Sequence, residues 1–417
     1  MTSIGRRGQQ QNAGQTIELR LDGPASDGAS VGRDASGRAV FCAGGLPGES
    51  VRVELNTEKK RFARGHVIEV LEPHAQRVVP SCATHAAGCG GCDLAHANAG
   101  LQTDMKRQIV ADALVRIGRV DETLVRTLLS ASIGRVEAVG ASGYRTTARA
   151  AITDGRAGYR KRSSHDVIHP STCAVVHPLL EELLLGGRYK TGAGDEVVLR
   201  VSQATGERIA LVAGDPDMAE LPEDVIVVGR HQVAAGRQVH LTEEAAGRSW
   251  RVSADSFFQA GPTVASALVA AVRSAAGPVD GSTLVDAYAG IGLFGGTVGA
   301  TARDLISIEQ SGSSTEDARV NLAEMSATIV EGAVEGWKAR PADIVIADPA
   351  RRGLGDGGVE ALERCGAPRF VLVSCDTGSL GRDVGLLSSH GYEVDSVQVI
   401  NAFPDTSHVE TVVGLRR

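Results

Sequence analysis

Aromatic side chains make up only 3% of the 417 residues, and lysine is rare beside arginine. Nowhere does an apolar run approach the ~20 residues that a membrane-spanning helix needs, which excludes a helical membrane protein. The start of the chain is polar and Gln-rich (Gln9-Gln10-Gln11) and has no apolar signal-peptide core. A secreted product is therefore not expected, and the chain reads as cytoplasmic. In that reducing compartment a framework of structural disulfides is not expected either. No internal repeat is visible, which removes solenoid architectures.

What is present is ordinary for a folded protein of several domains. Hydrophobic residues are 42% of the chain, and this length predicts two to four domains with ample core. The net charge of −7 speaks against a uniformly basic nucleic-acid binder, but binding depends on local patches. One patch runs from Tyr144-Arg145-Thr146-Thr147-Ala148-Arg149 to Gly158-Tyr159-Arg160-Lys161-Arg162. Arginines with interleaved tyrosines suit single-stranded RNA; a solvated arginine-rich hairpin is the plainer reading. A second basic stretch, Lys59, Lys60, Arg61, Phe62 and Arg64, falls in a loop before an expected strand.

A disordered tail and three domains are expected. Residues 1–13 read as a disordered tail. Residues 14–73 carry alternating strands between Gly-rich turns: Thr16–Leu21, Ala39–Cys42, Ser50–Leu55 and Gly65–Leu71. Four or five such strands in sixty residues predict a small barrel of OB type. Residues 74–261 read as a central α+β domain, with a helical stretch near 99–117 whose apolar positions Leu101, Met105, Ile109, Ala113, Leu114 and Ile117 recur at helical spacing. From 262 to 417 strands and helices alternate, which predicts a doubly wound, nucleotide-binding α/β sheet. The fold class is thus α/β plus β: a Rossmann-like domain, an N-terminal barrel and a central α+β domain.

Chemistry gathers at the expected strand ends. Val371-Leu372-Val373-Ser374-Cys375 ends an apolar run in a thiol, and Ile344-Val345-Ile346-Ala347-Asp348-Pro349 ends another in a carboxylate. In open α/β sheets ligands bind at the carboxyl ends of strands. Downstream, His408-Val409-Glu410 offers a second carboxylate. A nucleophilic thiol with a separate proton acceptor points to covalent catalysis. Asp286-Ala287-Tyr288-Ala289-Gly290-Ile291-Gly292-Leu293-Phe294-Gly295 joins a strand to a helix, where glycines let backbone N–H groups approach a ligand. The same spacing fits a dinucleotide loop, but Glu309 ending the next strand, able to take both ribose hydroxyls, and the Asp348-Pro349 strand end favour a methyltransferase over a dehydrogenase.

Of seven cysteines, Cys82, Cys89 and Cys92 form C-x6-C-G-G-C, and Cys173 follows in His169-Pro170-Ser171-Thr172-Cys173. Four thiolates can close a zinc site or hold a 4Fe–4S cluster. Cys42 and Cys365 have no evident partner and read as small core hydrophobes.

Taken in order along nearly the whole chain, these motifs, with Ser256-Phe257-Phe258-Gln259, Asp348-Pro349-Ala350-Arg351-Arg352-Gly353 and Ser374-Cys375, resemble the RNA uracil-5-methyltransferase family in its iron–sulfur-containing, rRNA-modifying branch. The resemblance implies a TRAM-like barrel and S-adenosylmethionine as methyl donor, with Gln259, Tyr288, Gly290, Glu309 and Asp348 lining its site. It implies Cys375 as nucleophile, with a thiol pKa lowered by its site, and Glu410 as base. It implies a 4Fe–4S cluster on Cys82, Cys89, Cys92 and Cys173, a helical stretch 95–128 packed on the catalytic domain, and RNA as partner: 23S rRNA first, tRNA as the alternative. A monomer without membrane contact is expected. Two departures stand out. The family commonly has Cys-Asn-Pro where this chain has Cys375-Asp376-Thr377, and Asn where it has Leu293. The rival classes are a cytosine-5 methyltransferase, and an RNA-binding iron–sulfur protein whose methyltransferase fold is vestigial. An iron–sulfur radical enzyme would need C-x3-C-x2-C on another barrel.

Overall fold

The structure is a computed structural model that describes residues 14–131, 140, 142–162 and 164–417. The expected tail 1–13 lies outside the described residues. The chain divides into two compact units: Met1–Val79, Asp93–Ile109 and Asp405–Ser407 form one, and Pro80–Cys92, Val110–Pro404 and His408–Arg417 the other. Among the described residues no helix is long and apolar enough to cross a membrane.

In the first unit, strands β1 (Thr16–Pro24), β2 (Ala29–Arg33), β3 (Ala39–Ala43), β4 (Ser50–Glu58) and β5 (Phe62–Glu72) close a five-stranded barrel in the order β1-β2-β3-β5-β4. Alternation places Leu19 and Leu21, Val40 and Cys42, and Val51, Val53 and Leu55 inside, as a period of two dictates. The sequence reading missed β2, because Ala-Ser-Val-Gly-Arg shows little alternation. Its Gly32 passes so close to β1 that a Cβ would lie 2.2 Å from the Arg20 carbonyl oxygen. The expected basic loop is shorter than the sequence suggested. Phe62 and Arg64 belong to β5, and Arg64 pairs with Asp27 and lies over the Phe41 ring at 5.0 Å. The far C-terminal residues join this unit through Asp405, whose N–H donates to Gln102 Oε1 at 2.9 Å while its Oδ1 accepts from Gln102 Nε2 at 2.9 Å.

The second unit contains two large sheets. Strands β6 (Thr147–Thr153), β7 (Arg156–Arg160), β8 (Val167–Ile168), β9 (Arg188–Tyr189), β10 (Glu196–Val201), β11 (Arg208–Val212), β12 (Ala219–Glu220) and β13 (Val225–Gly229) come first. Six of them form a sheet in the order β13-β11-β10-β6-β7-β8, while β9 pairs β12. The helix Pro178–Gly186 buries Leu180, Leu183 and Leu184 against Ala148, Val197 and Leu199 of this sheet. On the sheet's other face Val198, Ile209 and Leu211 join a core around Trp250, which lies in the hairpin β14 (His240–Ala245) and β15 (Arg248–Ser253).

The remaining strands are β16 (Thr283–Ala287), β17 (Asp304–Glu309), β18 (Ala327–Glu331), β19 (Ile344–Ala347), β20 (Arg369–Ser374), β21 (Glu393–Ile400) and β22 (Glu410–Arg416). They form a seven-stranded sheet in the order β18-β17-β16-β19-β20-β22-β21. Neighbours from β18 to β20 are parallel, and β22 runs antiparallel to both β20 and β21. The helix Pro262–Ala276 covers one face, and the helices Gly355–Glu363 and Thr377–Ser389 cover the other. Val110, Leu114, Val125 and Leu129 pack into that second core, as does Cys365. The doubly wound Rossmann-like sheet and the barrel are thus the observed folds.

Candidate active site

Strand β16 lies between β17 and β19, so the chain connections diverge on either side of it. A crevice at the carboxyl ends is the expected consequence. Asp286 sits in β16, Glu309 ends β17, Asp348 follows β19 and Cys375 follows β20. Glu410 arrives differently, as the first residue of the antiparallel β22. The register pairs Ser374 with Thr411, and the residues next to that pair, Cys375 and Glu410, are close enough for the carboxyl to act on the thiol.

This arrangement concentrates acids in a poorly solvated place. Glu410 is 5% exposed, and burial, then Asp348, pushes its carboxyl well above the usual range, against the pull of Arg351. Burial raises Asp348 to about 7, although its bond from Gln259 Nε2 (3.2 Å) opposes the shift. Burial likewise raises Asp286 to about 7, opposed by the Gly295 N–H and reinforced by Asp348 and Glu309. The thiol departs from expectation. Burial, then Glu410 and Asp348, pushes Cys375 up to about 12 rather than down, and Arg351 only partly offsets them. A thiolate beside two carboxylates in a low dielectric is disfavoured twice over. Arg351, exposed and three residues after Asp348, is the cation that acts on both Cys375 and Glu410. Sequence reasoning quoted its motif without giving it a role.

The Gly-rich loop is built for close approach. Gly290 (φ +55) and Gly292 (φ +87) adopt left-handed backbone, and so does Tyr288 at φ +60, where a non-glycine residue is strained. Glu309 holds the loop: its Oε2 accepts from the Gly290 N–H at 2.8 Å and its Oε1 from the Ser311 N–H at 2.7 Å. Each oxygen keeps a second lone pair for a ligand hydroxyl. Asp286 Oδ2 accepts from the Gly295 N–H at 2.7 Å, while its buried Oδ1 and the buried Tyr288 hydroxyl have no hydrogen-bond partner. Buried polar atoms left unpaired are costly, so this crevice suits a ligand rich in polar groups. Leu293, the departure from the family pattern, is buried in the apolar core.

One helix ties these pieces together. In Gly312–Asn321, Asp317 is fully buried and accepts from Ser253 N (2.8 Å), Ser253 Oγ (2.8 Å), Ser256 Oγ (2.6 Å) and Arg251 Nε (2.9 Å). One turn later Asn321 Nδ2 donates to the Ile291 carbonyl at 3.0 Å and to the Arg251 carbonyl at 3.1 Å. The Ser253–Gln259 segment and the Gly-rich loop therefore share one support. Neither residue carries a sequence signal; only their spacing of four on a helix hints at a common face.

The other departure also has a structural reading. Asp376 caps the helix Thr377–Ser389 by accepting from the Ser379 N–H at 2.8 Å, and its carbonyl accepts from Ser374 Oγ and Ser379 Oγ at 3.0 and 3.1 Å. The loop that carries Cys375 is thus fixed on both sides.

The four cysteines of the expected cluster are not assembled into a ligand set. Among the described residues no three His, Cys, Asp or Glu side chains converge so as to hold a metal ion. Between Cys82 and Cys89 the chain makes the helical turn Ala83–Ala86 and a left-handed Gly88. Backbone bonds hold this loop to the chain beyond β7, from Gly90 N to Arg160 O (3.3 Å) and from Arg162 N to Gly88 O (3.1 Å). Cys89 and Cys173 are within electrostatic reach of each other, and Cys173 takes bonds from the Val175 and Val176 amides and the Tyr159 hydroxyl. Those donors suit a thiolate ligand.

The raised acids make a pH signature. Asp348 holds its proton in the folded chain up to about 7, against 3.8 for the ordinary group. Its contribution to stability is therefore fully present at low pH and is lost as pH rises through that window. Asp348→Asn should become progressively more stable relative to the parent between those two values. Urea midpoints of the ligand-free proteins across that range test this, and a pH-independent difference would sink it.

Residues 10–68 match the TRAM domain. An uncharacterized RNA methyltransferase of Streptomyces avermitilis is 31% identical over 428 residues, covering 96% of this chain and 98% of its own length. One from Corynebacterium glutamicum is 31% identical, covering 96% of each. Among solved structures, the Pyrococcus abyssi tRNA (uracil-54, C5)-methyltransferase in complex with S-adenosyl-L-homocysteine superposes with a TM-score of 0.72 at 21% identity, over 96% of this chain and 100% of that one. With a barrel, a doubly wound sheet and full-length relatives of this kind, the chain belongs to the RNA methyltransferase family that carries an N-terminal TRAM domain.

Proposed function

We propose that this protein methylates carbon 5 of a uridine in RNA through a covalent cysteine adduct. The observation that carries the reading is the β20–β22 register, which ends one residue short of Cys375 and of the buried Glu410, whose carboxyl acts on the thiol. Carbon 5 of uracil is too weak a nucleophile to accept a methyl group unaided. Addition of the Cys375 thiolate to carbon 6 places an electron pair on carbon 5. S-adenosylmethionine would supply an electrophilic methyl on a sulfonium, whose positive charge suits a crevice holding Asp286, Asp348 and Glu410. The pair on carbon 5 would take the methyl as its bond to the donor sulfur breaks and leaves a neutral thioether; Glu410 then takes the proton from carbon 5, the double bond re-forms and Cys375 leaves with its bonding pair. Arg351 favours the ionised forms of both Cys375 and Glu410. Gln259, Tyr288, Gly290, Glu309 and Asp348 are the proposed walls of the donor site. The target base must leave its stack to present carbon 6.

Large-subunit rRNA is the proposed substrate, on the resemblance of the cysteine pattern to the rRNA-modifying branch. The Pyrococcus abyssi enzyme of the same fold acts on tRNA, so a T-loop transcript is the natural comparison. The cluster on Cys82, Cys89, Cys92 and Cys173 is proposed on the same resemblance, as a structural group.

Cys375→Ala should lose methyl transfer to RNA by roughly 10⁴-fold or more while still binding the labelled donor; substantial turnover would remove the covalent step. Glu410→Gln should stall after methyl transfer, so a protein–RNA species should persist on a denaturing gel. Normal product release without that species would exclude Glu410 as the base. Anaerobically purified protein should carry about four irons per chain if the thiols close on a cubane, and one zinc with no iron would overturn that assignment.

A further inference from the structure

We propose that a groove on the six-stranded sheet binds a phosphodiester stretch of the RNA substrate, away from the crevice that holds Cys375. The proposal rests on the RNA reading above and names a site for it. The groove encloses about 490 Å³ and is lined by Arg149 of β6, Arg160 of β7 and Arg230 just after β13, with Glu196 of β10 between them. Its floor is small: the register sets Glu196 beside Ala151, and Ala151 beside Gly158, so no long side chain fills the trough.

The charge does not balance inside the groove. Glu196 is shared, at 2.7 Å from Arg230 and 3.5 Å from Arg149. With Asp195 also in the lining, two carboxylates face three guanidiniums, and Arg160 spends one donor on the neutral His165 carbonyl at 3.2 Å. Lys161 and Arg162 continue the strand beyond Arg160. In a chain of net charge −7 this local reversal of sign is the electrostatic footprint of a polyanion. Guanidinium forks hold phosphate oxygens two at a time, and a shared carboxylate keeps Arg149 and Arg230 oriented until a phosphate replaces it.

The cysteine loop supports this edge. Cys89 bridges Lys161, and the Gly88 and Gly90 backbone bonds clasp Arg162 and Arg160. A group held in that loop would therefore act on RNA affinity by fixing the direction of three consecutive basic residues.

The test uses the full-length protein, a uridine-containing single-stranded RNA oligonucleotide and salt titrations of binding. Replacing Arg149, Arg160 and Arg230 together by Gln should weaken binding about tenfold or more at moderate salt. The slope of log affinity against log salt should fall by about 2, at roughly 0.7 per lost phosphate contact. Glu196→Gln should move both quantities the other way, because it frees two guanidiniums from a half-buried carboxylate. Unchanged affinity and slope in the triple variant, with the parent still methylating RNA, would overturn the groove alone. A parent that binds no RNA would overturn the groove and the RNA reading together. Circular dichroism of each variant excludes misfolding as the cause of a loss.

Discussion

The antiparallel entry of β22 between β20 and β21 is the constraint on which the active crevice depends. A wholly parallel sheet would deliver one strand end after another on the same side, and each would need its own loop to reach the next. Because β22 runs the opposite way, it begins where β20 finishes. Glu410, its first residue, is brought to Cys375 by main-chain pairing that runs from Ser374–Thr411 back to Arg369–Arg416. Ladder bonds fix that register, since a slip of one residue would turn every buried side chain of β22 to the wrong face. The same pairing explains the electrostatics. A carboxyl that begins a central strand has little access to water, so it holds its proton and disfavours a second anion nearby.

Around this point the fold uses a polar support rather than a purely apolar one. Asp317 satisfies four donors at once, and Asn321 reaches the Gly-rich loop from the same helix face. Buried polar groups of this kind specify one arrangement because each alternative leaves donors unpaired. Among the described residues the buried Asp286 Oδ1 and Tyr288 hydroxyl, at the start of the Gly-rich loop, have no hydrogen-bond partner. Strain collects there too, at Tyr288, which is where a scaffold that over-determines its surroundings can hold it.

The acidity of the whole chain hides a division of labour. Acidic groups gather in the crevice, where a cationic methyl donor is proposed, and arginines gather on the six-stranded sheet, where the phosphodiester is proposed. Net charge averages these two fields away, although each acts over roughly a Debye length.

The sequence by itself determined the parts whose signal is local. Alternation in Thr16–Leu21 and Ser50–Leu55, the apolar runs ending at Asp348 and Cys375, and the glycines after Asp286 each report a backbone state that neighbouring residues impose. These predicted the barrel, the doubly wound sheet and the strand-end placement of the site. What depends on distant partners was not legible. Strand β2 depends on the close passage of Gly32 against Arg20, the Gly-rich loop on the Asn321 support, and the raised thiol pKa on burial, then on Glu410 and Asp348. Only the tertiary structure decided these matters, because burial, register and electrostatic coupling belong to pairs of residues that the sequence keeps apart.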